Sequence, residues 1–387
     1  MTDIDIDGGD DLDARIRAFV GARQRLGGAV CEDGLLAALT HVVAVYSAQP
    51  SGPLSLAARV PAFDPAEFAA LEQERLAVRV PAMRLSQHLV PTATVARVTA
   101  ATRPPLTKVA WSLKPLGLTL DDHPALRDQV RAVATVPLTS RQLQAELGWP
   151  SAQVRAVVQI ASVEGTVVRV GGAGLRSNAI GWVATEAWLG GPIEPCDPDE
   201  ALAWLAGEYL RAFGPARVDD FAWWTSSTKP RAAAALARVD TVEVAPGLLL
   251  RAEDEAALAA TGPLPPDHVD LLPVWDAYTM GYPSTGRARF GPPEVLDRLY
   301  DDAGNGLGVV LAGGRAVGSW NSRFAGRTMQ VDMEELAPWT PAVRTRVDER
   351  LAELADLLGA ADLTVIPVSG GTRKPVGGKG NRRSYVT

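Results

Sequence analysis

The stretch PLTSRQLQAELGWPSAQVRAVVQIASVEGTVVRV, Pro137 to Val170, decides the fold. Its first half is a short amphipathic segment that starts behind Ser140 and stops at Gly148-Trp149-Pro150. A second helical segment restarts at Ser151 and runs to Gly165, and both serines suit the N-cap position. Beyond Gly165 the pattern changes to period two. Thr166 to Val170, the glycine turn GGAG, and a returning stretch through Trp182 to Thr185 predict a hairpin. With the helix in HPALRDQVRAVATVP just upstream, the order is helix, helix, helix, hairpin: a winged helix.

The pattern recurs. Residues 199–251 predict helices over Asp199–Phe213, Val218–Trp224 and Lys229–Val239, then a hairpin over Thr241–Arg251. Upstream, 12–30 and Asp33 to Tyr46 predict two helices, and Asp64-Pro65-Ala66-Glu67 predicts a capping box opening a third. The segment VPAMRLSQHLV, 80–90, is strand-like. Downstream, short apolar runs over Leu307–Leu311, Arg315–Asn321 and Thr328–Met333 alternate with glycine turns and predict a small antiparallel barrel. A helix over Pro341–Leu358 and a strand over Asp362–Pro367 follow. The expected fold class is α+β: three tandem winged-helix motifs plus a C-terminal β-barrel-like domain. The expected units are 1–120, 121–195, 196–260 and 261–370, with a flexible basic tail over 371–387.

Composition limits the function. With 387 residues and 47% hydrophobic side chains the chain is globular and multi-domain. No apolar run reaches the ~20 residues of a membrane span. The acidic start MTDIDIDGGDDLD lacks the order of a signal peptide, and a cytoplasmic location is expected. Cys31 and Cys196, far apart, make neither a disulfide framework nor a metal site. No zinc ligand set, phosphate loop, nucleotide fingerprint or Ser-His-Asp arrangement is visible, so neither metal nor cofactor is expected. The net charge of −7 lacks the basic excess of many nucleic-acid binders. The positive residues are nonetheless mostly arginine, which suits bidentate contacts to phosphate or bases; GC-rich coding gives the same bias.

The chemistry centres on VYSAQPSG, Val45 to Gly52. Two uncharged hydrogen-bonding side chains, Ser47 and Gln49, stand where an apolar element stops. They either cap that element or, on one side of an extended segment, hold a water between them.

Four phrases, in order, carry a resemblance: SAQP near 48, VPAMRLSQHLV at 80–90, FGPARVDDFAWW at 213–224, and LLPVWDAYTMGY at 271–282. The chain resembles the tandem winged-helix DNA glycosylases that unhook bulky alkyl adducts and interstrand crosslinks. These include self-resistance enzymes of actinomycetes that make azinomycin-type antibiotics. The resemblance covers nearly the whole chain and implies three winged helices and a β-barrel around a concave DNA channel. The family's Gln-apolar-Gln is here Ser47-Ala48-Gln49, which implies catalytic roles for Gln49 and, altered, Ser47. Its Trp-Ala-Arg becomes Ala57-Ala58-Arg59. Its Met-Arg-Gly-Thr-x-His becomes Met83-Arg84-Leu85-Ser86-Gln87-His88, and its Phe-Asp-Glu-Tyr-Leu-Leu-Gly-Tyr becomes Trp275 to Tyr282. The expected substrate or DNA contacts are Arg59, Arg84, His88, Asp276, Tyr278 and Tyr282, with Arg176 and Asn178 on the wing.

The function implied is a monofunctional DNA glycosylase that hydrolyses the N-glycosidic bond of N7-alkylated purines. It would serve DNA repair or antibiotic self-resistance, acting as a monomer on adduct-bearing double-stranded DNA. The alternative is a non-catalytic winged-helix DNA-binding protein, a regulator or damage binder. Gln49 beside the Pro turn and the phrase 275–282 favour the enzyme; Ser47 and the acidic net charge favour the alternative.

Overall fold

The computed structural model describes residues 7–29, 33–47, 51–171, 174–176, 179–301 and 304–369. Gln49, Ser177, Asn178 and the tail 371–387 lie outside them.

The helix Asp7–Arg23 buries Ile16, Phe19 and Val20, at the spacing the sequence predicts. The next helix, Gly34–His41, ends five residues before Tyr46. Val45–Tyr46 is instead a short strand, β1, which pairs with Leu89 and His88 after Val43 turns the chain at φ 69°. A second difference follows at once. The helix Ser51–Ala57 occupies a place where Pro50 and Gly52 predict only a turn. Gly52 is what lets it dock, since a Cβ there would sit 2.9 Å from the Tyr46 carbonyl oxygen. The helix Pro65–Gln73 starts behind Asp64, whose side chain accepts from the Ala66 N–H at 2.7 Å. Glu67 does not complete a capping box there; it accepts from the Leu35 N–H, at the start of another helix.

The segment 77–91 folds as a hairpin of β2 (Ala77–Pro81) and β3 (Gln87–Pro91). The wing strands β4 (Val167–Gly171) and β5 (Ile180–Ala184) join the same sheet, ordered β1-β3-β2-β4-β5. The junction is the pairing of Arg79 with Arg169, so the first sheet runs across position 120.

Helices His123–Val133, Ser140–Leu147 and Ser151–Glu164 precede that wing. Their N-caps are Thr139 and Pro150, one residue ahead of the serines. Thr139 Oγ1 accepts from the Gln142 N–H at 3.3 Å, and the Gln142 side chain accepts from the Thr139 N–H at 2.9 Å. The second helix–helix–helix–hairpin order comprises Pro198–Phe213, Val218–Thr225, Lys229–Leu236, and the strands β6 (Thr241–Ala245) and β7 (Leu248–Arg251). Its centre is aromatic: Tyr209 lies 5.1 Å from Phe213 and 5.0 Å from Trp224, ring to ring.

The C-terminal sheet contains β8 (Val269–Leu272), β9 (Gly308–Ala312), β10 (Arg315–Ala325), β11 (Thr328–Glu335) and β12 (Asp362–Pro367). Their order is β12-β11-β10-β9-β8, with β11 and β12 parallel across the helix Pro341–Leu357. Strands β8 and β12 are its edges and do not pair, so this sheet is open where glycine-separated strands predict a barrel. The fold is mixed α+β, and no helix among the described residues is long and apolar enough to cross a membrane.

Candidate active site

The site is built where β1 ends. Tyr46 pairs with His88, and the Ser47 N–H donates to the Gln87 carbonyl at 2.8 Å. The Arg79 guanidinium donates to the Ser47 carbonyl at 3.0 Å and grips the Glu72 carboxylate with two bonds of 2.8 and 2.9 Å. Glu72 in turn accepts from the Gly171 N–H at 3.0 Å. Ser47 thus has both backbone polar groups fixed by the sheet and a buried ion pair, while its side chain is left over.

That side chain is 1% exposed, and its Oγ has no hydrogen-bond partner among the described residues. Ser51 Oγ, where the chain is next described, and Gln87 Nε2 are equally buried and without a partner there. Buried polar groups are almost always bonded, which makes the hydroxyl of Ser47, on so firmly held a backbone, a candidate for a functional contact. On the face of β1 opposite Ser47, Tyr46 and Trp275, both half-buried, have centroids 4.9 Å apart, and His88 meets Tyr46 edge to face at 6.1 Å.

His88 is neutral at pH 7. Burial, and secondarily the Arg84 charge, holds its pKa at about 4 against the upward pull of its bond to the Ser86 carbonyl. Because a carbonyl only accepts, Nδ1 carries the proton that bonds Ser86 at 2.8 Å, and Nε2 keeps its lone pair.

Arg84 sits in the tight connection between β2 and β3, with left-handed backbone at Arg84 (φ 53°) and Leu85 (φ 58°). In the family phrase a glycine stands where Leu85 stands here, and a left-handed turn explains that glycine. The Arg84 guanidinium lies 3.8 Å from the Trp223 ring centre, with Arg287 on the same ring at 5.5 Å. Burial first, and Arg287 second, lowers the Arg84 pKa to about 10, so it stays charged at neutral pH.

The remaining expected contacts are placed differently. Arg59 and Asp276 are each fully buried and bound to one another by two bonds of 2.7 and 2.8 Å. Asp276 also accepts from Ser55 Oγ at 2.6 Å and from the Tyr278 N–H at 2.9 Å, which leaves it no free acceptor. Tyr278 and Tyr282, 1% and 0% exposed, offer DNA no surface; Tyr282 donates to the Phe213 carbonyl at 2.6 Å. Arg59, Asp276 and Tyr282 fasten the helices Ser51–Ala57 and Pro198–Phe213 to the C-terminal part, while Tyr278 packs on Phe290 at 4.9 Å, ring to ring. On the wing, Arg176 is exposed but stacks on Phe324 of β10 at 4.1 Å, and its neighbour Leu175 is buried among C-terminal apolar side chains. The wing tip therefore leans on the C-terminal sheet, where glycine-rich sequence predicts a free tip.

Residue-type patterns missed Arg79, Glu72 and the contact between the Tyr46 and Trp275 rings. One signal for Arg79 was present: a charge inside the apolar run AVRVP needs a buried partner. Its partner lies seven residues upstream on a helix, which only packing could identify. No group of three or more metal-ligating side chains occurs among the described residues.

Residues 39–357 match the AlkZ-like DNA glycosylase family, and the chain belongs to that family. Its fold is similar to the solved structure of the DNA glycosylase AlkZ of Streptomyces sahachiroi, with a TM-score of 0.73 and 21% identity over 92% of this chain and 99% of that one. No curated protein matches it.

Proposed function

We propose that the chain is a monofunctional glycosylase for N7-alkylated purines, bulky genotoxin adducts among them, in DNA repair or antibiotic self-resistance. Alkylation of N7 makes the purine a cationic leaving group, so little acid catalysis is needed at the base. The base departs with the bonding pair as a neutral purine, and the sugar left in the strand becomes oxocarbenium-like, as in glycoside hydrolysis. What remains is to position a water and place negative dipole near the developing charge. In this reading the Gln49 side-chain oxygen holds the water, the Ser47 hydroxyl assists, and no metal or cofactor takes part. The neutral His88 sets no positive charge against a cationic purine. The protein would act as a monomer on duplex DNA and leave an abasic site.

The observation that carries this reading is Ser47: a buried hydroxyl without a partner among the described residues, on a backbone clamped by Arg79 and Gln87. The test is a duplex with one N7-alkylguanine, methyl or bulky, incubated with protein and then cleaved with alkali at abasic sites. Strand breaks with wild type and none with Gln49→Ala support the reading; equal breaks with both overturn the role of Gln49. One specific feature favours a second reading. Ser47 reaches two bonds less than the family's glutamine, and binding without breaks would identify a damage binder that keeps the fold.

A further inference from the structure

Between Val95–Thr102 and His123–Val133 the chain makes three short 3₁₀ turns, Leu106–Lys108, Ala110–Ser112 and Lys114–Leu116. Their inner side chains, Leu106, Val109, Leu113 and Leu116, pack on Ala156, Ile160 and Val163 of the helix Ser151–Glu164. The same helix has a second apolar stripe, Val154, Val157, Val158 and Ala161, which packs on Val130 and Leu143 of its own unit. At 3.6 residues per turn the two stripes lie on opposite sides, so this helix is held between two apolar layers.

In a helix-turn-helix that reads DNA, the second helix enters the groove with the side turned away from its core. Here residues 106–116 cover much of that side. The surface presented at this place is instead the outer face of the covering segment, and its composition is distinctive. Lys108, Trp111 and Lys114 all point into solvent. Trp111 is 45% exposed, the one aromatic among the large exposed apolar side chains of the described residues. Only five lysines occur in the whole sequence, and two of them flank this tryptophan. Lys229 pairs with Asp219, whereas Lys108 and Lys114 have no acidic partner among the described residues. At ~2 Å per residue in a 3₁₀ turn the lysines are ~12 Å apart along the segment. That reach lets the two ammonium groups meet different phosphates of one strand. The segment is also tied to the candidate site, because Leu85, beside Arg84, belongs to the same apolar cluster.

We propose that Lys108, Trp111 and Lys114 grip the backbone of one strand of the DNA duplex. The two ammonium groups meet phosphates, and the indole lies against the sugars between them. This rests on the glycosylase reading and adds where the duplex is held outside the reacting centre.

The test uses the full chain and equilibrium binding to a duplex with and without one N7-methylguanine, between about 50 and 200 mM salt. Lys108→Gln combined with Lys114→Gln should weaken both duplexes equally. It should also flatten the slope of log K against log salt by about 1.8, that is 0.9 per lost phosphate contact. Trp111→Ala should weaken binding about tenfold with the slope unchanged, and Trp111→Phe should restore part of it. Melting curves establish that each variant is folded. If wild type binds and the double variant keeps its slope, this inference alone is overturned. If wild type neither binds duplex nor releases the base, the functional reading falls and takes this inference with it.

Discussion

Arg79 holds the carbonyl of Ser47 with Nη1 at 3.0 Å while its Nε and Nη2 remain on Glu72. One buried cation thus links the helix Pro65–Gln73, the strand β2 and the end of β1. Arg79→Gln should cost about 3–5 kcal/mol, because it leaves the Glu72 carboxylate buried without its counter-charge. Arg79→Met with Glu72→Leu should recover most of that stability, since an apolar pair replaces an ion pair at little cost. The double variant should still excise slowly, because the Ser47 backbone has lost its anchor. Urea unfolding and single-turnover excision separate the two effects, and a double variant with wild-type excision would remove Arg79 from the site.

Ser47→Ala removes a buried hydroxyl that has no partner among the described residues. Stability should change by less than about 1 kcal/mol, and it should rise rather than fall. The excision rate should drop by roughly tenfold if the hydroxyl helps hold the attacking water. A Tm loss without any loss of rate would make Ser47 a structural residue.

Gly52→Ala sets two magnitudes against each other. Alanine in a helix gains about 1 kcal/mol over glycine. The new Cβ, however, would lie 2.9 Å from the Tyr46 carbonyl oxygen, and overpacking costs about 1–3 kcal/mol. A backbone carbonyl has little room to give way, so the clash should win. Excision should fall with stability, because the helix Ser51–Ala57 is pushed from β1.

The Arg59–Asp276 pair should be worth about 3–5 kcal/mol when one partner is removed, as in Arg59→Met, since both groups are fully buried. Chemical denaturation measures it; a loss under about 1 kcal/mol would show that the pair is not the fastener described here.

Stability should fall on mild acidification. The folded pKa of His88, about 4, lies below the ~6.5 of an unfolded histidine. The unfolded chain therefore takes up a proton that the native chain refuses. The contribution is complete above about pH 6.5 and is lost as pH falls from there towards 4, by up to about 3 kcal/mol. Burial lowers the pKa of His41 too, which adds loss of the same sign. The difference in melting temperature between wild type and His88→Gln, followed from pH 7 to 4.5, isolates the His88 part. A constant difference would show that His88 is not held neutral.

The sequence by itself determined the local elements. Caps, glycine turns and the switch from helical to alternating periodicity placed the helices of both repeated units and the hairpins within a few residues. They did so because those signals act between residues close along the chain. Family phrases and residue types marked Ser47, Gln49, Arg59, Arg84, His88, Arg176, Asn178, Asp276, Tyr278 and Tyr282, and of these the structure puts Ser47, Arg84 and His88 on or beside a single hairpin and its neighbouring strand. Tertiary structure alone decided the rest. Val45–Tyr46 became a strand because β3 was there to pair with it. Asp276 and Tyr282, eligible as DNA contacts by type, became buried fasteners to Arg59 and Phe213, each more than sixty residues away, and Tyr278 became a buried ring packed on Phe290. Whether an arginine meets phosphate, an indole or a carboxylate depends on what the fold packs beside it, and that desolvation is not encoded within any short stretch of chain.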